Sequence, residues 1–250
     1  MSGLSRPLDA ITFDFWNTLV AELPESGSDE LWVDRLASIG VETEEAAVAA
    51  AWAVSWAGFH QEWHRGAIPP STRAMVAAMA QEIGIPEESS EFEQLVRWTE
   101  AGLDPAMIKP APGIGDALAV LDDAGLRLGI ICDAGRTPGA ALRGYLDHHG
   151  LLRHFDHWSF SDEVGAFKPS PEIFAHAADG LGLPDPSRIA HVGDLVRTDV
   201  AGSRAAGWVS VRYRGLNDDP DRQSLFDSGL AEADVVIDDH TELPVALGLV

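Results

Sequence analysis

Residues 10–20 read AITFDFWNTLV, apolar apart from Thr12, Asp14, Asn17 and Thr18. The run predicts a buried strand followed by a turn. A buried strand needs a sheet around it, and residues 29–102 offer none. They carry helical patterns at 29–39, 44–65, 71–83 and about 88–101. Thr43 is placed to cap the second helix, with Glu44 and Glu45 in its first turn and Gly66 just past its end. After a linker of Pro110, Pro112 and Gly113 the pattern changes. Short apolar runs at 126–132, 157–160, 188–193, 208–213 and 234–238 alternate with helical stretches at 114–124, 138–149, 171–179 and 198–206. Such alternation marks parallel strands covered by helices. The simplest arrangement is one α/β core, built from 1–22 and 109–250, carrying an all-helical insertion at 23–108.

Composition narrows the function. Of 250 residues, 46% are hydrophobic and 23% charged, an ordinary globular mix. A formal net charge of −23 argues against binding to nucleic acid or to an anionic membrane. One cysteine, Cys132, rules out an intrachain disulfide and a cysteine-based zinc site. The start, MSGLSRPLDA, lacks a signal-length apolar run, and no stretch reaches membrane-spanning length, so a cytoplasmic protein is expected.

Ligands of an open α/β sheet sit at the carboxyl ends of its strands. Asp14 ends the first predicted strand, Cys132 and Asp133 end LGIICDAG, and Asp194 ends IAHVGD. Lys168, in AFKPSPEIF, lies at the entrance to a helix. Two carboxylates repel by about 4 kcal/mol at 4 Å in an effective dielectric near 20, a cost that a divalent cation relieves. Asp14 and Asp194, with a backbone carbonyl and water, suit the hard oxygen coordination of Mg2+. Each acid alone is better explained as a cap or a surface charge; the set at one rim is what points to chemistry.

DFWNTL, IICDAGRTPG, FKPSPEIF and HVGDLVRTD, in that order and with an insertion after the first, resemble the four motifs of the haloacid dehalogenase superfamily of hydrolases. The resemblance covers the whole core and the position of the insertion. It implies a Rossmann-like parallel-sheet core, a helical cap and, in most members, a Mg2+-dependent phosphatase that passes through an aspartyl-phosphate. By position it makes Asp14 the nucleophile and gives metal coordination to Asp14, the backbone carbonyl of Trp16, and Asp194. Asp199 would orient ligands or waters from one layer out, and Lys168 would orient nucleophile and phosphate.

Two positions depart from that pattern. Trp16 stands where the phosphatases carry an aspartate that protonates the leaving group. Loss of a general acid costs about 10²–10⁴-fold, and least where the leaving group is already a stable anion. Cys132 replaces the usual Ser or Thr, and a thiol is a weak donor. With Asp133 beside it to raise its pKa, Cys132 reads as a small packing residue and not as a reactive thiol. The dehalogenase branch also has an aromatic residue where Trp16 sits, but it lacks the GDxxxxD pattern that Asp194 and Asp199 keep here. The phosphonate-cleaving branch needs a cap lysine, and residues 23–108 contain none.

The expectation is therefore a Mg2+-dependent hydrolase of a small phosphorylated metabolite, with Asp14 and Lys168 catalytic and Trp16, Cys132, Asp133 and Arg136 against the substrate. A metal-independent 2-haloacid dehalogenase and a catalytically impaired binding protein are the alternatives. Trp52, Trp56, Phe59 and Trp63 share one helix face, read first as the seam of the helical insertion and second as a roof over the site. His60 and His64 read as a solvated face, Arg136 and Arg197 equally as charge near a phosphate or as surface ion-pair partners, and 215–234 as an exposed connection without a role.

Overall fold

Residues AITF form strand β1 (Ala10–Phe13), buried along its whole length in the middle of a sheet. The structure is a computed structural model that describes residues 7–23, 28–66 and 68–249. The remaining strands are β2 (Val20–Glu22), β3 (Ile108–Pro110), β4 (Arg127–Cys132), β5 (His157–Phe160), β6 (Ile189–Gly193), β7 (Val209–Tyr213) and β8 (Val235–Ile237). Six of them make a parallel sheet in the order β5-β4-β1-β6-β7-β8, a Rossmann-like α/β architecture.

The helices are α1 (Ser28–Ser38), α2 (Glu45–Arg65), α3 (Thr72–Glu82), α4 (Ser90–Ala101), α5 (Ile114–Asp123), α6 (Gly139–His148), α7 (Ser161–Val164), α8 (Pro171–Leu181), α9 (Ala201–Ala205), α10 (Arg222–Asp227) and α11 (Leu243–Ala246). Alternation along the strands sorts them onto two faces. Ile11, Phe13, Leu128 and Ile130 pack with Leu118, Leu142 and Leu243 of α5, α6 and α11. Ala10 and Ile131 point the other way, onto Ile173, Phe174 and Ala177 of α8. Both faces are covered, which is why the strands read as continuous apolar runs.

Helices α1 to α4 hold a separate cluster that includes Trp32, Leu36, Trp52, Met79, Phe92 and Leu95. Full burial of one such side chain stabilises by about 1.5–3 kcal/mol, so the four helices have an interior of their own.

Three local expectations need correction. The stretch read as a linker begins with a strand: β3 pairs antiparallel with β2, Val20 opposite Pro110 and Glu22 opposite Ile108. Three residues are too few to show a period, and Pro110 sits at a strand end, where a missing N–H is tolerated. Thr43 does not cap α2; the residue before the helix is Glu44, and no side chain caps it. The helix predicted from 198 opens earlier, as a wide π-helical turn over Val196–Val200 that carries Asp199.

Candidate active site

Register brings the chemistry to one edge. Phe13 lies beside Ile130 on one flank and Val192 on the other, so the chain leaves β1, β4 and β6 at one level. Asp14 follows β1, Cys132 and Asp133 close and follow β4, and Asp194 follows β6. Lys168 arrives from the loop before α8. Its Nζ donates to Asp14 Oδ1 at 2.5 Å and to Asp199 Oδ1 at 2.6 Å. The backbone N–H of Leu195 donates to Asp199 Oδ2 at 3.0 Å, and His191 Nε2 lies 3.1 Å from Asp199 Oδ1. A Cβ at Gly193 would lie 2.6 Å from Asp199 Oδ2, so this acid fits only behind a glycine.

Oxygens of the buried acids Asp14, Asp194 and Asp199 lie within 4.8 Å of one another. Burial pushes Asp14 up to about 7, against the pull of Lys168. Burial, with repulsion from Asp14 and Asp199, pushes Asp194 up to about 8. Asp199 is buried as well, but Lys168 and His191 outweigh that and hold it well below the usual carboxylate range. Burial alone would lower Lys168; Asp14 and Asp199 keep its pKa well above an ordinary lysine. One ammonium thus faces three acids. The unmatched charge and the all-oxygen donor set fit a hard divalent cation. Cys132 is buried, and its thiol pKa is pushed up by burial first and by Asp14 next, with Asp133 a lesser contributor.

Sequence reasoning missed several groups here. Asn217 Nδ2 donates to Asp194 Oδ2 at 2.6 Å, and Asp219 Oδ2 accepts from Val196 N at 2.8 Å. Both come from the stretch that had been given no role. Buried Arg212 anchors that stretch, donating to Asp218 at 2.8 Å and to Glu232 at 2.8 and 2.6 Å. His191 was missed because it lies inside a strand.

The aromatic face of α2 divides. Trp52 belongs to the interior of the helical insertion. Phe59 instead meets Phe167 of the core edge-on, with ring centroids 5.3 Å apart. Trp63 donates from Nε1 to Asp133 Oδ2 at 2.7 Å, while Asp133 Oδ1 accepts from Lys168 N at 2.8 Å. The Arg197 guanidinium lies 3.7 Å from the centre of the Trp63 ring. Phe59 and Trp63 roof a cleft of about 170 Å³ that contains Asp14, Cys132, Lys168 and Asp194, with Trp16 in its wall and the exposed His60 at its edge. His64 is exposed, as expected of a solvated face. Arg136 does not line this cleft; it lies over Trp52, 5.1 Å from the ring centre, and lines a neighbouring pocket. Arg197 does not line the cleft either, but it covers Trp63, which does, and acts electrostatically on Asp133 and Asp199.

Comparison with known proteins gives the same lineage. A family model for haloacid dehalogenase-like hydrolases matches residues 8–207. A glyceraldehyde 3-phosphate phosphatase of Methanopyrus kandleri is 35% identical over 111 residues, 44% of this chain and 45% of that protein. An N-acetylmuramic acid 6-phosphate phosphatase of Pseudomonas aeruginosa is 31% identical over 192 residues, 72% of this chain and 75% of that protein. The match therefore spans less than half of the first relative and three quarters of the second. The crystal structure of a HAD phosphatase from Thermococcus onnurineus superposes with a TM-score of 0.65, over 96% of this chain and 98% of that one. At 23% identity that likeness is one of fold. No helix among the described residues is long and apolar enough to cross a membrane. With the four motifs in order, the acids gathered at one sheet edge and a family match over most of its length, this chain belongs to the haloacid dehalogenase-like hydrolases.

Proposed function

We propose that this hydrolase is a Mg2+-dependent phosphatase of a small phosphorylated metabolite, with 1–22 and 109–250 as its catalytic core and 23–108 as its cap. The observation that carries this reading is the buried group of Asp14, Asp194 and Asp199 braced by Lys168. An Asp14 oxygen attacks phosphorus, the bond to the leaving oxygen breaks, and water later hydrolyses the aspartyl-phosphate. Lys168 orients the Asp14 carboxylate through its 2.5 Å bond and offsets charge on the phosphoryl oxygens. Asp199 holds Lys168 in place, and Asn217 fixes the rotamer of Asp194. Asp14, Asp194 and the Trp16 carbonyl would hold the Mg2+, which when bound neutralises charge on the transferring group.

Trp16 has no proton to give a departing alkoxide, so turnover is confined to phosphates whose leaving groups are stable anions. The test compares acetyl phosphate with ethyl phosphate, with and without Mg2+. The expected result is Mg2+-dependent turnover of acetyl phosphate and a rate on ethyl phosphate lower by about 10²-fold or more. Trp16→Asp should narrow that gap. Equal rates on both substrates would contradict the role given to Trp16.

The dehalogenase branch of the family also carries an aromatic residue at the position of Trp16, which supports a second reading with attack at carbon, as in a 2-haloacid dehalogenase. That reading requires halide release from short 2-haloacids that survives EDTA.

A further inference from the structure

We propose that a second pocket across Trp16 receives an aromatic leaving group, making aryl phosphates the substrate class of this site. The proposal rests on the phosphatase reading above and adds a substrate to it. The pocket holds about 210 Å³, against about 170 Å³ for the cleft of Asp14, and Trp16 is a wall of both. Trp56, Leu103 and Thr137 line it beside Trp16, and Glu22 and Arg136 bring one charge of each sign.

Its aromatic walls are held firmly. The Trp16 indole meets Phe15 and Tyr145 edge-on, with centroids 5.2 and 6.2 Å away. The Tyr145 hydroxyl in turn accepts from the backbone N–H of Leu103 at 2.7 Å. A Cβ at Gly135 would lie 2.6 Å from the Trp56 ring, so the glycine there is what lets Trp56 close the pocket.

Two independent features select the same ligand. The first is chemical. With an indole at position 16, the leaving oxygen must depart as a stable anion, and a phenolic oxygen, with a pKa of about 10, does so far more readily than an alkoxide. The second is steric. The cleft of Asp14 and the second pocket share Trp16 as a wall, so a substrate whose phosphoryl group sits at Asp14 has ring-lined space beside residue 16 for its leaving group. Flat rings stack or meet edge-on with indoles favourably. In the reaction an Asp14 oxygen bonds to phosphorus, the phosphorus–oxygen bond to the aryl group breaks, and its electron pair leaves on the phenolate, which takes a proton from water.

The experiment measures kcat/KM for phenyl, ethyl and acetyl phosphate in the intact protein with Mg2+, and repeats phenyl and acetyl phosphate in Thr137→Phe, which fills the pocket. Wild type should turn over phenyl phosphate at least about 10²-fold better than ethyl phosphate. In Thr137→Phe the phenyl-to-acetyl ratio should fall about tenfold, the scale on which a hydrophobic pocket discriminates. Trp56→Leu, which removes one aromatic wall, should lower the same ratio, and it serves if the first variant does not fold. Normal hydrolysis of acetyl phosphate with phenyl no better than ethyl phosphate, or an unchanged ratio in a folded variant, overturns this proposal and leaves the phosphatase reading standing. Absence of acetyl phosphate hydrolysis in wild type overturns both.

Discussion

Asn217 shows how much of a site can hang on one uncharged side chain. It holds one oxygen of Asp194 at 2.6 Å, and its loop is tied down by the buried Arg212 through Asp218 and Glu232. Removing that hydrogen bond frees the rotamer of an acid whose proton is held to about 8 by burial and by its neighbours. Asn217→Ala should therefore weaken Mg2+ affinity by about 10-fold or more, the usual cost of losing a group that orients a metal ligand. Titration calorimetry with Mg2+ checks this, and unchanged affinity would show that the bond does nothing for the metal. Asp14 and Asp194 are legible in the sequence because each closes a predicted strand, and Asp199 only through its place in the GDLVRTD motif. Sequence reading could not find Asn217, which lies in an acidic, turn-rich stretch 23 residues beyond its partner. Composition describes such a stretch only as solvated, and the contact that matters is long-range.

At the scale of the element, α2 does two jobs along one face. It runs for 21 residues, against 11 in α3 and 12 in α4. Ser55 Oγ donates to Met75 O at 2.7 Å, and Phe59 packs on Met75 near the start of α3. The turns beyond that point run past their neighbour and meet the core through Trp63. Periodicity grouped Trp52, Trp56, Phe59 and Trp63 correctly onto one face but carries no information about which surface each part meets. Trp52→Ala should cost about 3–5 kcal/mol of stability by emptying the interior of the insertion. Trp63→Phe keeps a ring against Arg197 and gives up only the bond to Asp133, so its loss should stay below about 2 kcal/mol. Denaturant unfolding of both variants tests the division, and equal losses would contradict it. The antiparallel β2–β3 pair stayed hidden for a different reason. Its strands are three residues long, and each is recognised only by its partner across the insertion.

For the whole molecule, the acids couple stability to pH and, in the proposed function, to metal. Asp14 and Asp194 keep their protons up to about 7 and about 8 in the metal-free fold, against an ordinary 3.8. Between those values the native state binds more protons than the unfolded chain, so stability falls as pH rises through that window. Asp199 is shifted downward, and its contribution is in force throughout the same range. In the proposed site protons and Mg2+ compete for these carboxylates, so the rise in Tm with saturating Mg2+ should be larger near pH 8 than near pH 6. Melting curves at the two pH values provide the check, and equal shifts would place the metal elsewhere. The parallel sheet was the most legible part of the fold, because strands buried on both faces leave unbroken apolar runs such as IAHVG in β6.

In the proposed mechanism Asp14 carries the reaction with a divalent cation beside it. Release of inorganic phosphate from acetyl phosphate by the wild type, with Mg2+ and with EDTA, and by Asp14→Asn with Mg2+, tests this. Steady turnover is expected only in the first case, with a loss of about 10³-fold or more in Asp14→Asn. Turnover that persists in EDTA, or that survives Asp14→Asn, would contradict it.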